Sequence, residues 1–130
     1  MMRPLIAAMV LFAAAPILGS AGALAGPWED GMAAYVRGDY VPAVQLFRPL
    51  AQQGNARAQG VLGMMYRKGQ GVAKSPAHAF MWLSLASARG NARAKVELHD
   101  MSRSMSPEEL AHAREMMRSC EVSNYRSCAY

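Results

Sequence analysis

Metal binding is the first kind of chemistry that the side chains of this chain suggest. The chain has 11 methionines and three histidines, and His99 is close in sequence to Met101 and Met105. In an exported protein, thioethers with an imidazole could hold Cu(I). Methionine is also a flexible gap-filler in helical cores, and no cluster of methionine and histidine here is dense. We therefore interpret the methionines as packing residues and predict no metal site and no cofactor.

Catalysis would need a nucleophile beside a base, paired carboxylates or a set of metal ligands. His78, His99 and His112 fall on three different predicted helices. His112 lies four residues after Glu108 and three before Glu115, but such spacings are common on polar helix faces. The sequence contains no G-x-S-x-G, S-x-x-K or H-E-x-x-H motif and no phosphate-binding loop. It predicts a non-enzymatic protein without catalytic residues.

Cys120 and Cys128 are the only cysteines of the chain. In an exported protein an even pair indicates a disulfide, which would stabilise the fold by roughly 2–3 kcal/mol in the chain-entropy model. A metal or redox pair is the alternative, but no histidine is near and the spacing is not C-x-x-C. The sequence leaves open whether the cysteines pair within one chain or between two.

The first 25 residues have the pattern of a signal peptide. Arg3 precedes the apolar run Leu5–Leu18, and Ala23-Leu24-Ala25 fits a cleavage site. The run is shorter than the roughly 20 residues of a membrane-spanning helix. We expect a mature chain that begins at Gly26, is periplasmic or secreted and has no transmembrane span. An uncleaved N-terminal anchor is the alternative.

The mature chain is long enough for one domain, over residues 26–119, and a tail over residues 120–130. Without Arg3 it has 13 basic and nine acidic residues, a net charge of +4. It contains no run of like charges. This balance permits an anionic partner but does not favour nucleic acid.

Helical hairpins are the elements that must position these residues. The pentamer Gly-Asn-Ala-Arg-Ala occurs at Gly54–Ala58 and again at Gly90–Ala94, a shift of 36 residues. A period in the thirties is typical of two-helix solenoid repeats. Apolar spacing predicts a helix over Ala56–Lys68, and a second helix follows from Ser75 to the stop at Gly90.

The same pattern extends in both directions, so the sequence predicts an all-α fold, an α/α solenoid of about three helical hairpins. In the third hairpin, Ala92–Met101 repeats the first helix, and Ser106-Pro107-Glu108-Glu109 is a capping box for a helix to about Ser119. In the first hairpin, Tyr35 and Gly38 correspond to Tyr66 and Gly69. The side chains predicted to face the core are Tyr35, Ala58, Val61, Leu62, Met65, Tyr66, Ala79, Phe80, Trp82, Leu83, Ala86, Ser87, Leu110, Ala113 and Met117. Tyr125 and Tyr130 have no predicted role.

The middle unit has a characteristic set of residues at fixed spacing: Leu62, Gly63, Tyr66, Gly69, Gly71, Val72, Pro76, Ala79, Trp82, Ala86 and Gly90. This pattern resembles the Sel1-like repeat, a relative of the tetratricopeptide-type helical repeats. The first unit lacks the Gly-x-Gly-Val loop, and the third has His99 in place of Gly63. Over about Trp28–Ser119, the resemblance implies a protein-interaction scaffold, often an adaptor and often exported in bacteria.

The spacing of the two cysteines is similar to that in a secreted, cysteine-rich branch of the Sel1-like family. Members of that branch are linked with penicillin binding or weak β-lactamase activity. The alternative function is therefore a secreted protein that binds or weakly hydrolyses β-lactam or cell-wall ligands.

By resemblance to tetratricopeptide-type solenoids, the first helix of each hairpin should line a concave surface. The residues expected there are Arg57, Met64 and Arg67 of the middle unit with Lys68 beside them, Arg93, Asp100 and Arg103 of the third unit, and Arg37 of the first. The predicted surface is rich in arginine, which suits bidentate contacts with carboxylates. We expect the partner to be another protein that presents an acidic peptide or a C-terminal carboxylate, although an ordinary solvated face is the alternative.

Overall fold

The structure, a computed structural model, describes residues 25–126 and Cys128. All but the last residue of the predicted signal peptide lies outside the described residues. The described residues form six helices: α1 (Pro27–Arg37), α2 (Tyr40–Gln52), α3 (Ala56–Lys68), α4 (Pro76–Ala88), α5 (Ala92–Ser102) and α6 (Pro107–Val122). None of these helices is long and apolar enough to cross a membrane.

The predicted all-α solenoid is confirmed over the part of the chain that the structure describes. Helices α1 and α2 form one hairpin, α3 and α4 form the next, and α2 packs against α3. The third pair differs, because α5 and α6 each pack against α4 more closely than against each other. The last unit therefore depends on α4 for its packing.

The helix boundaries follow the capping signals of the sequence. The predicted helix Ala56–Lys68 is confirmed as α3, and the Asn55 side chain accepts a hydrogen bond from the Ala58 amide at 3.1 Å. Ser75 caps α4 in the same way. Ser106 and Glu109 form the predicted capping box of α6. Helix α6 extends three residues beyond the predicted end at Ser119.

Two glycines allow close contacts between helices that any side chain would prevent. A Cβ atom at Gly63 would lie 2.8 Å from Cγ of Leu83, so the absence of a side chain lets α3 approach α4. Gly71 has a φ of 72° and lies against the backbone of Tyr40. The loop between α3 and α4 thus packs against the start of α2, which joins the second hairpin to the first.

Helix α4 forms the centre of the hydrophobic core. Seven of its 13 residues are buried: Ala79, Phe80, Met81, Trp82, Leu83, Leu85 and Ala86. The predicted stripe omitted Met81 and Leu85, because α4 contacts α3 on one side and α5 and α6 on others. Ser87, expected to face the core, is only half-buried.

The prediction for α6 was partly wrong. Met116 is buried, whereas Met117 and Leu110 are half-buried. Ala113 is buried as expected, and Cys120 is buried one turn after Met116. The face of α6 that meets α4 is therefore centred on Ala113, Met116 and Cys120.

Candidate functional site

A groove with a volume of about 300 Å³ lies between α1, α3 and α5, which are the first helices of the three units. Its apolar lining consists of Trp28, Met32, Tyr35, Val61, Met64, Leu83 and Ala94, and its polar lining consists of Arg57, Lys68, Asn91, Arg93 and Glu97. Tyr35 was predicted as a core residue, but it is half-buried and belongs to this lining. The groove combines an apolar floor with cationic side chains.

Trp28 anchors one wall of the groove. Its ring packs against Phe47 with 5.3 Å between the ring centroids. The guanidinium of Arg57 lies 4.2 Å from the centroid of Trp28, within the range of a cation–π contact. Sequence reasoning missed Trp28 as a site residue, since the contact depends on how closely α1 approaches α3.

Four of the eight side chains predicted for the concave surface line this one groove: Arg57, Met64, Lys68 and Arg93. They meet there because residues on the first helix of each unit repeat at the same position around the helix. Arg93 on α5 is the counterpart of Arg57 on α3, one period further along the chain.

Two of the other predicted residues, Arg67 and Arg103, lie elsewhere. Arg67 forms an ion pair with Glu97 and lines a second cavity of about 280 Å³, together with Met101 and Met105. Arg103 follows the last residue of α5, is exposed and lines neither cavity.

The remaining two residues predicted for the concave surface, Arg37 and Asp100, also lie outside the groove. Arg37 is exposed and pairs with Asp39 at 3.1 Å. Asp100 is exposed and is absent from the lining. The acidic residue that the groove does contain, Glu97, was not predicted.

The groove has a surplus of positive charge. Among the residues that the structure describes, no salt bridge joins Arg57, Lys68 or Arg93 to a carboxylate. Glu97 is the acidic residue of the lining, and Arg67 already pairs with it. Three cationic side chains are thus available to an anionic ligand.

The residues considered for Cu(I) are only partly brought together. Met101 and Met105 both line the second cavity, whereas His99 is exposed and does not line it. Within residues 25–126 and Cys128, no group of three or more His, Cys, Asp or Glu side chains is placed to hold a metal ion.

His78 lies against Tyr66, with their rings stacked at 4.8 Å between centroids. Its Nδ1 atom lies 2.7 Å from the hydroxyl of Ser75, which also caps α4. Burial lowers the pKa of His78, and the nearby positive charges of His112 and Arg48 lower it further. These contacts hold the start of α4 against α3, outside the groove.

Cys120 and Cys128 form a disulfide within the chain, with their Cα atoms 4.3 Å apart. The loop that it closes contains Tyr125, whose ring lies 4.8 Å from the guanidinium carbon of Arg89. Arg89 also donates a hydrogen bond to the Tyr125 hydroxyl. The same guanidinium lies against Gly54, where a Cβ atom would be 3.0 Å from it. Tyr125, which had no predicted role, therefore ties the tail to the first two hairpins.

The comparisons with known proteins agree with this repeat architecture. The model of the Sel1 repeat matches residues 23–55 and 56–91, which together are more than half of the chain. The boundary between the two matches falls at Asn55 and Ala56, where α3 begins. No curated protein matches the chain. The two matched repeats and the paired helices of the fold place this chain in the Sel1 repeat family.

Proposed function

We propose that this protein is an exported, non-enzymatic adaptor that binds a carboxylate-bearing peptide of a partner protein in the groove between α1, α3 and α5. Sel1 repeats indicate a protein–protein interaction module. The observation that supports a carboxylate ligand is the set of cations without a salt bridge among the described residues, Arg57, Lys68 and Arg93, around an apolar floor.

The chemistry of these cations suits a peptide carboxylate. Arg57 and Arg93 present planar guanidinium groups, which donate two parallel hydrogen bonds to one carboxylate. The apolar floor adds burial for side chains of the same peptide at roughly 25 cal/mol per Å². An anion with an apolar side chain satisfies both parts of the lining.

The export component rests on two observations. Residues 1–25 have the signal-peptide pattern, and the disulfide between Cys120 and Cys128 suits an oxidising compartment. Protein isolated from the periplasm or medium should have the mass of a chain beginning at Gly26. A full-length mass in the cytoplasmic fraction alone would contradict export.

The test of the binding site uses the exported, oxidised protein and a labelled peptide, acetyl-Asp-Leu-Asp-Leu with a free C-terminus. The reference peptide is acetyl-Asn-Leu-Asn-Leu-amide, which has no carboxylate. We expect the charged peptide to bind at least about tenfold more tightly in fluorescence anisotropy, since charge-assisted hydrogen bonds each contribute about 1.5–3 kcal/mol. Equal binding of the two peptides would contradict the proposal.

The location of the site is tested with two charge-matched variants. Reversal of Arg57, Lys68 and Arg93 to Glu should abolish the preference for the charged peptide. Reversal of three exposed cations outside the groove, Lys95, Arg103 and Arg114, changes the net charge equally and should retain it. Equal losses in both variants, or nitrocefin turnover above background, would contradict the proposed function.

A further inference from the structure

We infer that the groove recognises the C-terminal end of a partner polypeptide, held by its free α-carboxylate and an apolar last side chain. This inference rests on the proposed function and narrows its ligand from any carboxylate-bearing peptide to a chain end.

The size of the groove limits the length of the bound segment. Its volume of about 300 Å³ is at the lower end of the roughly 300–1,000 Å³ range of ligand pockets. A site of this size accommodates one large side chain with its neighbouring backbone, not a long peptide. The ligand must therefore present its anionic and apolar groups close together, as a terminal residue does.

The positive charge is concentrated at one end of the groove. Arg57 and Arg93 are the second residues of α3 and α5, and both line the same cavity. The partial positive charges at the N-termini of these two helices add to the same end. Lys68 is the last residue of α3, 11 residues and so roughly 16 Å from Arg57 at 1.5 Å per residue. A single carboxylate is best placed between the two arginines.

Glu97 disfavours a peptide with many carboxylates. It lies one turn after Arg93 on α5 and lines the groove between the arginine end and Lys68. Glu97 forms an ion pair with Arg67, so Arg67 is not available to balance the carboxylates of a bound peptide. A run of acidic side chains along the groove would meet this carboxylate, whereas one terminal carboxylate beside Arg57 and Arg93 avoids it.

The apolar floor next to the arginines suits the last side chain of such a peptide. Trp28, Val61 and Leu83 are rigid apolar walls, and Met32 and Met64 are flexible side chains that adapt to different shapes. Gly60 also lines the groove, and a Cβ atom there would lie 2.6 Å from Nδ2 of Asn91, so the glycine lets the start of α5 approach α3. The site therefore fits a large aliphatic or aromatic terminal residue.

Two further peptides separate the terminal carboxylate from side-chain carboxylates. Acetyl-Asn-Leu-Asn-Leu with a free C-terminus carries the α-carboxylate alone, and acetyl-Asp-Leu-Asp-Leu-amide carries only the side-chain carboxylates. We expect the first to bind within about threefold of the fully charged peptide, and the second to bind at least about tenfold more weakly.

Intrinsic tryptophan fluorescence locates the bound peptide. The chain has two tryptophans; Trp82 is fully buried, whereas Trp28 is half-buried in the groove lining. Binding of the terminal-carboxylate peptide should change the emission of Trp28, and a Trp28→Phe variant should lose that change.

Neutral variants then identify the carboxylate position. Changing Arg57 and Arg93 to Gln should lower the affinity for the terminal-carboxylate peptide at least about tenfold, whereas Lys68→Gln should lower it less than about threefold. The Lys95→Gln, Arg103→Gln variant is the control, and circular dichroism checks that each variant is folded. Equal sensitivity to Lys68→Gln would overturn the arrangement.

The outcomes distinguish this inference from the proposed function. If the amidated acidic peptide binds as well as the fully charged one, or if it and the peptide with the α-carboxylate alone lose affinity equally, the chain-end inference is wrong and the proposed function stands. If none of the four peptides binds, both are wrong.

Discussion

His78 is the side chain whose charge state is most closely tied to the packing of the fold. Its ring lies against Tyr66, its Nδ1 faces the Ser75 hydroxyl, and its Nε2 is buried without a hydrogen-bond partner. The charged groups near it, His112 and Arg48, are both basic. A protonated His78 would therefore face other positive charges in a partly dehydrated site.

The lowered pKa of His78 predicts a loss of stability in acid. In the unfolded chain the imidazole titrates near its ordinary pKa of about 6.5, so below that pH the unfolded state binds more protons than the folded state. The contribution of the neutral His78 side chain to the free energy of unfolding is complete above about pH 6.5, and it is lost as the pH falls through the lower pKa of the folded state. Urea unfolding should show that the free energy of unfolding decreases more between pH 7.5 and pH 5.5 for the native protein than for His78→Phe, which keeps a ring against Tyr66. An identical decrease in both proteins would contradict this origin.

The repeated pentamer forms the two joints between units, and the two copies have different contacts. Asn55 and Asn91 each cap the following helix by accepting a hydrogen bond from a backbone amide, at 3.1 and 3.0 Å. Asn91 also donates a hydrogen bond to the carbonyl of Ala56 at 3.1 Å. The second copy therefore both starts α5 and connects it to the start of α3.

This difference predicts unequal costs for the same substitution. Asn55→Ala should lower the free energy of unfolding by about 1 kcal/mol, the usual cost of losing an N-cap. Asn91→Ala should cost about 1 kcal/mol more, since it also leaves the Ala56 carbonyl without its side-chain donor. Urea unfolding followed by circular dichroism measures both. Equal costs would mean that the bond between units contributes nothing to stability.

At the scale of helices, the sequence predicted what local chemistry determines. Ser75 and Ser106 cap helices through contacts only a few residues away, so their roles were readable from neighbouring residues. The burial of Met81 and the pairing of Arg67 with Glu97 depend on how separate helices dock. A single sequence shows the period that brings Arg57 and Arg93 to one surface, but not the distance between helices that makes a groove there.

At the scale of the whole molecule, α4 connects the units into one packed body. It contacts α3, α5 and α6, and its Leu85 is buried in the hydrophobic core with 2% of its surface exposed. Because α5 and α6 have few contacts with each other, the third unit has no core of its own. The domain should therefore unfold as one cooperative unit rather than repeat by repeat.

Truncation of Leu85 tests this cooperativity. Leu85→Ala should lower the free energy of unfolding by about 2–5 kcal/mol, as for other buried leucines. Hydrogen exchange should show the protected amides of α1–α3 and α5–α6 losing protection together. Val122→Ala is the control, since Val122 is 89% exposed and should change stability by less than about 0.5 kcal/mol. Selective loss of protection in α5 and α6 would indicate a separate folding unit.

The contact between Arg89 and Tyr125 has a consequence for how such a chain can evolve. Tyr125 lies 36 residues after Arg89, one full period, and its ring occupies the place beside Arg89 within a disulfide-closed loop. Duplication of a unit after α6 would have to replace that ring with a new helix start and separate the two cysteines. The tail therefore disfavours the addition of repeats by duplication after α6, and it favours a fixed number of repeats.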